Sequence, residues 1–471
     1  MIKPCGGIRG FGTILIGTHH VRESSFSVNR RIETIALALC TALCAVVLTL
    51  PVPARAQTLG TDIICGKTAD KRGIAAADLP DITAEHALVV GENGTVYYER
   101  DADAAVKIAS ITKVMTAVIT LENTKPTDTL TVDKEAADIM GSSADLQEGD
   151  TLTVEQALRG LMIPSGNDAA LALAKFVGKK IDPDTQDPVK TFVAAMNKKA
   201  EELGLKDTLY ENPHGLDLDE WKGDLHSTAR DVEKVFAYAM KNETFRKTVN
   251  FSDSNITVTG ADGTERTYAM QTHNPLLGQN GNIGGKTGTT DDAGFCFVSA
   301  YEIDGNRIYI VVLHSDTDDH RYSDTAALAQ WYVGHQKSLS PFNTDKTTID
   351  KQPLIARASL ADWSDKTVAV TAKNPSATVN VFTLEGDATE TFSYDELTGD
   401  VRKGDTVGAV TVKQGGKKLR SFKLVAAENV PGPTLVDRVL VGVDRIFRFF
   451  EGEPSAAPTV QIAKAEPKDA A

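Results

Sequence analysis

Strand-like segments stand at both ends of residues 80–335 and enclose a long helical stretch, and this order limits the folds open to the chain. Residues 86–99 are typical of a β-hairpin with Asn93-Gly94 in its turn. From Ser110 to about Met240 apolar residues recur at helical spacing, and strand-like runs return between about Phe251 and Leu313. We therefore predict an α/β domain whose sheet is assembled from both ends of this region, with helices packed on it.

Three residues mark where helices of the central stretch begin or end. Thr153 precedes an amphipathic run and is predicted to cap its N-terminus, and Thr228 stands at the start of a later helix. Gly204 follows another helical run and predicts its end, because glycine tolerates the left-handed conformation found there. Each boundary follows from local backbone chemistry alone.

A second domain is indicated by a change of composition near Ser338–Pro341. From there to about Val425, short runs of β-type residues alternate with turns of Gly, Asn and Asp, as in small all-β domains. We predict a first domain over residues 57–338 and a β-rich domain over residues 339–430.

One amphipathic helix, assigned to residues 431–452, is predicted to follow the β-rich domain. Its apolar face runs through residues 434–450 and ends in three phenylalanines, which favours a helix lying on a membrane surface. Docking on a protein surface is the alternative, because the polar face mixes Asp with Arg and is less basic than is usual for membrane-surface helices. Residues 453–471 are rich in Pro, Ala, Glu and Lys and are predicted to be disordered.

Residues 1–56 have the pattern of a secretory signal segment. Arg30 and Arg31 precede an apolar run over residues 34–50, and an Ala-x-Ala sequence ends at Ala56, where cleavage is expected. An uncleaved signal anchor is the alternative. Either one predicts an exported protein, at the outer face of the cytoplasmic membrane or in the cell wall space.

The charge and the cysteine and histidine positions limit which partners, disulfides and metal sites the chain can have. The formal charge of −14 disfavours nucleic acid as a partner. Only two cysteines, Cys65 and Cys296, follow the expected cleavage site. They could form one disulfide, or Cys296 could be a buried free thiol, because it lies in an apolar run. His314 and His320 lie among aspartates without the spacing of a known metal motif. No metal site and no cofactor are predicted.

Ser110-Ile111-Thr112-Lys113 is the first stretch that indicates catalysis. A serine and a lysine three positions apart share one face of a helix. A serine hydroxyl becomes a good nucleophile when a neighbouring group takes its proton, and a lysine in a dry pocket beside another cation is neutral enough to do so. Ser110 and Lys113 are therefore a candidate nucleophile and base, and a surface Ser and Lys on a helix are the alternative.

Two further segments supply complementary groups. Ser165-Gly166-Asn167 places a hydroxyl and an amide on a tight turn, with a plain helix cap as the alternative. Gly284–Thr289 enters a strand, and its glycines, Gly288 among them, allow a ligand to approach the backbone closely. There Lys286 adds a cation and Thr287 a hydroxyl, with a solvated lysine on a Gly-rich turn as the alternative.

The order Ser-x-x-Lys, Ser-Gly-Asn, Lys-Thr-Gly resembles that of penicillin-binding proteins and class A β-lactamases. The chain is similar to the low-molecular-mass penicillin-binding proteins that act as serine-type D-alanyl-D-alanine carboxypeptidases. The similarity is strong over residues 80–335 and includes Asn212–Leu216 and His226–Asp231. It implies a transpeptidase-like α/β domain, a sheet with helices on both faces plus a helical subdomain, followed by a small all-β domain and an amphipathic helix. Ile108 is a departure, because relatives usually have proline there, and we expect only a local effect.

The resemblance implies an acyl-enzyme mechanism. Ser110 would attack the carbonyl between the two terminal D-alanines of a peptidoglycan stem peptide while Lys113 takes its proton. Lys286, together with burial, would lower the pKa of Lys113 and keep it a base. Ser165 would relay a proton to the departing D-alanine, and Asn167 would hold Lys113 and the substrate amide.

The resemblance also implies how the substrate is held. The N–H groups of Ser110 and Thr289 would form the oxyanion hole, and the neighbouring Gly288 would belong to the substrate-binding strand. Thr287 and Arg321 would bind the terminal carboxylate, which makes the enzyme an exopeptidase. A β-lactam mimics the same dipeptide and would acylate Ser110.

Three alternatives remain open. A β-lactamase shares the chemistry. Class A β-lactamases use a glutamate to activate water, however, and this sequence contains no Glu-x-x-Leu-Asn stretch that would supply it. A DD-endopeptidase that cuts cross-links shares all three motifs. A non-catalytic wall-binding module on the same fold would be expected to lack some of the catalytic residue types.

Overall fold

The computed structural model describes residues 60–469. The predicted signal segment, residues 1–56, lies outside the described residues. The strands of the first domain, in chain order, are β1 Ile63–Ile64, β2 Lys67–Thr68, β3 His86–Gly91, β4 Val96–Arg100, β5 Thr129–Thr131, β6 Thr151–Thr153, β7 Asp253–Thr259, β8 Glu265–Gln271, β9 Asn282–Thr290, β10 Gly294–Ile303 and β11 Asn306–Ser315. Its α-helices are α1 Ala69–Arg72, α2 Lys113–Asn123, α3 Lys134–Ala137, α4 Val154–Met162, α5 Asn167–Ile181, α6 Pro188–Leu203, α7 Ala229–Ala239, α8 Glu243–Val249 and α9 Asp318–Gly334.

A seven-stranded antiparallel sheet joins the two ends of this domain. Its order is β2-β1-β4-β3-β11-β10-β9, so β3 from the early part of the chain pairs with β11 from the late part. This confirms the prediction that the sheet is assembled from both ends. Strand β9, which carries the Lys-Thr-Gly motif, lies at one edge and keeps one row of backbone groups free of sheet pairing.

Side chains of the central strands alternate between two cores, one on each face of the sheet. Leu88 and Val311 belong to the core shared with the helices of the central block. Val89 and Ile310 belong to the opposite core, which includes Leu328 of α9. Helices therefore cover both faces, as predicted, and a four-stranded sheet in the order β5-β6-β7-β8 borders the helical subdomain.

The predicted helix boundaries agree with the structure. Thr153 caps α4 in a capping box with Gln156, and the side chain of Thr228 accepts a hydrogen bond from Asp231 N at the start of α7. Gly204 ends α6 with a φ of 67°. Cys65 and Cys296 are both free, and Cys296 is buried, so the thiol alternative holds.

The second domain is built from β12 Gln336–Ser340, β13 Ala356–Ser359, β14 Thr367–Ala372, β15 Val379–Phe382, β16 Ala388–Tyr394, β17 Thr406–Gln414, β18 Lys417–Ala426, α10 Leu435–Glu451, β19 Val460–Gln461 and β20 Lys468–Asp469. Two sheets form, in the orders β16-β17-β18-β14-β13-β19 and β15-β12-β20. Strand β12 pairs with β15, so it spans the predicted boundary at residue 339.

The C-terminal tail corrects a prediction. We expected disorder over residues 453–471, but β19 pairs with β13 and β20 pairs with β12. Between them Ala463 is buried at 4% exposure. The tail has too few apolar residues to build a core of its own, but the open edges of β13 and β12 offer backbone hydrogen bonds that its composition does not reveal.

Helix α10 lies against the β-rich domain by its polar side. Val441 is buried at 9% exposure, and Arg445 donates to the carbonyl oxygen of Ala361 at 2.5 Å. The opposite side is apolar and exposed, from Leu435 at 81% to Phe450 at 80%. In the described part of the chain, no helix is long and apolar enough to cross a membrane.

Candidate active site

Ser110 lies in a 3-10 turn, Ala109–Thr112, that leads directly into α2. Ile108 is buried, and its carbonyl oxygen accepts from Ile111 N at 3.1 Å, which closes the turn. Ser110 and Lys113 therefore face the same way although the α-helix begins only at Lys113. The Nζ atom of Lys113 donates to Ser110 Oγ at 2.7 Å.

Lys113 is fully buried, with 0% of its surface exposed. Besides Ser110, its Nζ donates to Asn167 Oδ1 at 2.7 Å and to the carbonyl oxygen of His214 at 3.0 Å. Burial lowers the pKa of Lys113 to about 7, against the opposing effect of Asp168. An amine in this state is neutral in about half of the molecules at neutral pH and can accept the proton of Ser110.

Lys286 reaches the site from strand β9. Its Nζ donates to Ser165 Oγ at 2.8 Å and to the carbonyl oxygen of Thr287 at 2.7 Å. Burial, with the charges of Lys113 and Arg321, holds the pKa of Lys286 well below its usual range. We expected Lys286 to assist burial in lowering the pKa of Lys113, but burial is the cause for Lys113, and the repulsion between the two amines is expressed at Lys286.

Ser165 and Asn167 stand at the N-terminus of α5. Ser165 has a φ of 65°, which aims its side chain at Lys286 rather than at the helix end, and the N-cap residue Gly166 offers no side-chain bond. The alternative of a plain helix cap is therefore wrong. Asn167 links Lys113 to the preceding loop, because its Nδ2 donates to the carbonyl oxygen of Met140 at 2.7 Å.

Gly288 lets strand β9 lie directly against the turn that carries Ser110. A Cβ atom added at Gly288 would lie 2.5 Å from the carbonyl oxygen of Ile108 and 3.2 Å from Ser110 N. The next residue, Thr289, is exposed on the open edge of the sheet. The backbone of this strand and the N–H of Ser110 therefore border the same space beside the nucleophile.

Arg321 approaches from the first turn of α9. It is buried at 5% exposure and donates to Thr289 Oγ1 at 2.6 Å and to the carbonyl oxygen of Gly288 at 3.2 Å. It also forms an ion pair with Asp318 on the same helix. The structure thus brings eight predicted residues around Ser110 in one place; they are Lys113, Ser165, Asn167, Lys286, Thr287, Gly288, Thr289 and Arg321.

Sequence reasoning missed two residues that shape this site. The carboxylate of Asp168 accepts from Ser143 Oγ at 2.7 Å and from Leu146 N at 3.1 Å, and so holds the loop that supplies the Met140 carbonyl. His214 was noticed only as part of a motif, although its carbonyl oxygen binds Lys113. An acidic residue in the first turn of α5 was the available signal for Asp168. A backbone carbonyl leaves no signal in the sequence.

The family model of peptidase S11, described as D-alanyl-D-alanine carboxypeptidase, matches residues 73–317. The chain belongs to this family. Comparisons with individual proteins agree with the assignment. D-alanyl-D-alanine carboxypeptidase DacC of Escherichia coli (strain K12) is 30% identical over 356 residues, which are 72% of this chain and 82% of DacC.

Two further similar proteins support the comparison. A D-alanyl-D-alanine endopeptidase of Pseudomonas aeruginosa is 31% identical over 272 residues, which are 55% of this chain and 81% of that protein. The crystal structure of the Streptomyces K15 DD-transpeptidase superposes with a TM-score of 0.51 at 34% identity and covers 54% of this chain and 97% of its own. The first domain therefore has the DD-peptidase fold.

Proposed function

We propose that this protein hydrolyses the bond between the two terminal D-alanines of peptidoglycan stem peptides through an acyl-enzyme on Ser110. The observation that carries the proposal is the contact between Ser110 Oγ and Lys113 Nζ at 2.7 Å, with Lys113 buried and its pKa lowered to about 7. A nucleophile and a base are thus in contact in a dry site, with no histidine needed.

Acylation follows from this arrangement. Lys113 accepts the hydroxyl proton as Ser110 Oγ attacks the carbonyl carbon, and the N–H groups of Ser110 and Thr289 stabilise the oxyanion. As the peptide bond breaks, the proton that Lys113 accepted passes through Ser165, which Lys286 holds at 2.8 Å, to the departing D-alanine amine, and Lys113 is neutral again. Water then attacks the ester, with Lys113 again as the base, and releases the shortened peptide.

Arg321 and Thr287 give the site its preference for a free C-terminus. Arg321 is fixed by Thr289 and Gly288 at the end of the open strand, where the carboxylate of a peptide lying along β9 would end. A planar guanidinium binds a charged C-terminal carboxylate more strongly than it binds the neutral peptide bond of a longer chain. The proposal is therefore a carboxypeptidase.

The test is to incubate the purified protein with diacetylated Lys-D-Ala-D-Ala and, separately, with a fluorescent penicillin. We expect release of D-alanine and a covalent label that mass spectrometry locates on Ser110. Ser110→Ala should lose both signals, while Ser421→Ala, a serine in the β-rich domain, should keep both. A label that persists in Ser110→Ala would show that the nucleophile is a different residue.

The same experiment separates the other functions. Rapid turnover of penicillin without release of D-alanine would indicate a β-lactamase, and the absence of both signals would indicate a binding module. The endopeptidase alternative is favoured by one observation, the similarity to the Pseudomonas aeruginosa endopeptidase. Cross-linked muropeptide dimers test it, since a carboxypeptidase should leave the cross-link intact.

We further propose that the protein is exported and that α10 rests on the outer face of the cytoplasmic membrane. The support is the orientation of the helix: Arg445 and Val441 attach it to the β-rich domain, and its apolar side is left outward. A continuous apolar face of this kind is unfavourable in water and stable in the interfacial region of a bilayer. Flotation of the full protein with phospholipid vesicles tests this, and a protein that stays at the bottom of the gradient would contradict it.

A further inference from the structure

Three side chains that are distant in sequence meet at one end of the central sheet. Glu85 directly precedes strand β3, which begins at His86, and His314 lies near the end of β11. Because these strands are antiparallel neighbours, with His86 opposite Leu313, the three side chains are brought together. One ligand atom from each lies within 4.8 Å of the others.

Each imidazole is held through one ring nitrogen by a backbone carbonyl. His86 Nδ1 lies 3.0 Å from the carbonyl oxygen of Asp101, and His314 Nε2 lies 2.8 Å from that of Asp292. A carbonyl only accepts, so each of these nitrogens donates, and in a neutral imidazole the other nitrogen has the lone pair that can bind a metal. Metal-binding histidines are oriented in the same way, by a hydrogen bond from the nitrogen that does not bind the metal.

The remaining nitrogens are available as ligands. His314 Nδ1 lies 3.5 Å from Glu85 Oε2. His86 is buried at 6% exposure, and its Nδ1 also lies 3.2 Å from Asp101 Oδ2.

We propose that Glu85, His86 and His314 bind a zinc ion. Two imidazoles and one carboxylate form a ligand set that zinc prefers, with a fourth position left for water. Ligand atoms around a tetrahedral zinc lie about 3.3 Å apart, as metal–ligand distances of about 2.0 Å require. The cluster must therefore contract, and the side chain of Glu85, 69% exposed, is free to move inward.

This zinc is separate from the catalytic groups but is connected to their strand. The carbonyl that orients His314 belongs to Asp292, in the turn between β9 and β10. The same turn is tied to β9 by Ala293 N, which donates to Thr290 Oγ1 at 3.1 Å. The ion would thus stabilise the turn that follows the Lys-Thr-Gly strand, which is a structural role.

The experiment is a calorimetric titration of the chelator-treated full protein with zinc chloride. We expect saturable binding of one zinc per chain and a thermal midpoint that rises with zinc, because the ion binds only the folded protein. His314→Ala should weaken binding at least tenfold and abolish the thermal shift. His320→Ala removes an exposed histidine that pairs with Asp316 outside the cluster, and it should bind zinc like the parent protein.

Several outcomes would overturn the proposal. No saturable binding by the parent protein would do so, as would equal affinity in His314→Ala or an equal loss in His320→Ala. Glu85→Gln serves as a second variant because this side chain is 69% exposed and its replacement is nearly isosteric, and it should also weaken binding. Binding that is unchanged in a folded Glu85→Gln protein would remove the carboxylate from the ligand set and contradict the site as stated.

Discussion

The candidate active site and helix α10 depart in opposite ways from the usual division between an apolar core and a polar surface. The site buries two lysines, with Lys113 at 0% and Lys286 at 2% exposure. Helix α10 exposes a row of apolar side chains, with Phe449 at 79%. Buried amines and large exposed apolar faces are both rare in soluble proteins. The buried lysines form the candidate active site, and the exposed helix face is the one for which we propose a lipid surface as the partner.

The two regions are stabilised by different means. Lys113 tolerates burial because three oxygen atoms surround its Nζ and because its pKa has fallen to about 7, so much of its charge is lost. Helix α10 tolerates exposure because its other side is attached to the β-rich domain. Burial of the amine is thus accompanied by a change in its protonation, whereas the apolar side of the helix stays exposed in this structure.

The largest effect is expected from changes at Lys113. Lys113→Met and Lys113→Arg should each slow acylation by penicillin about 10³-fold or more, because the first has no base and the second cannot be deprotonated near neutral pH. Stopped-flow labelling measures the rate. Lys198→Met, an exposed lysine on α6, is the matched control and should react normally. A rapid reaction in Lys113→Arg would rule out Lys113 as the base.

Gly288→Ala tests the close approach of β9 to Ser110. The added methyl group would lie 2.5 Å from the carbonyl oxygen of Ile108, so the strand must move away from Ser110 N. Loss of one oxyanion donor typically costs about 10²-fold in rate, and we expect a decrease of this size in acylation. Gly442→Ala, on α10, controls for the general effect of the substitution, because nothing lies within 4 Å of the added methyl group. An unchanged rate would mean that the oxyanion is stabilised elsewhere.

The pH dependence of acylation tests whether Lys113 acts as a neutral base. With a pKa of about 7, its neutral fraction falls as pH falls. The rate should therefore be roughly 25-fold lower at pH 5.5 than at pH 7.5 and nearly constant above pH 8. The measurement is the second-order rate of penicillin labelling across this range. A rate that continues to rise to pH 10 would show that the buried lysine keeps an ordinary pKa.

A smaller effect is expected at the helix. Phe447 is 62% exposed, and Phe447→Asp should weaken vesicle binding by about tenfold or more, as expected when one large apolar contact is lost. Ile349→Asp is the matched control, because Ile349 is an exposed apolar residue outside α10 and is 94% exposed. Equal losses in the two variants would mean that α10 has no special role in binding lipid.

The smallest effect concerns stability. The pKa of Lys113 is lowered in the folded state from 10.5 to about 7, so between these values the unfolded chain binds more protons. The free energy of unfolding should therefore rise with pH, and from pH 7.5 to 8.5 the parent protein should gain about 1 kcal/mol relative to Lys113→Met. Urea unfolding at both pH values measures this. A constant difference would contradict the lowered pKa independently of catalysis.

Much of the fold could be predicted from the sequence because it depends on local chemistry and on periodicity. The side chains of Thr153 and Thr228 begin helices, and Gly204 ends one, through bonds and backbone angles that involve only neighbouring residues. Ser110 and Lys113 were found in the same way, because residues three positions apart lie on the same face of a helical turn.

Tertiary structure alone decided what depends on packing between distant segments. The carbonyl of His214 reaches Lys113, and the tail strand β19 joins the open edge of β13. Glu85, His86 and His314 meet only because β3 pairs with β11. The lowered pKa of Lys113 belongs to this group too, because burial sets it and burial is a property of the whole domain. The sequence therefore determined which chemical groups the site has, and the packing of the sheet and helices around them determined their contacts and protonation, because both depend on neighbours that are far away along the chain.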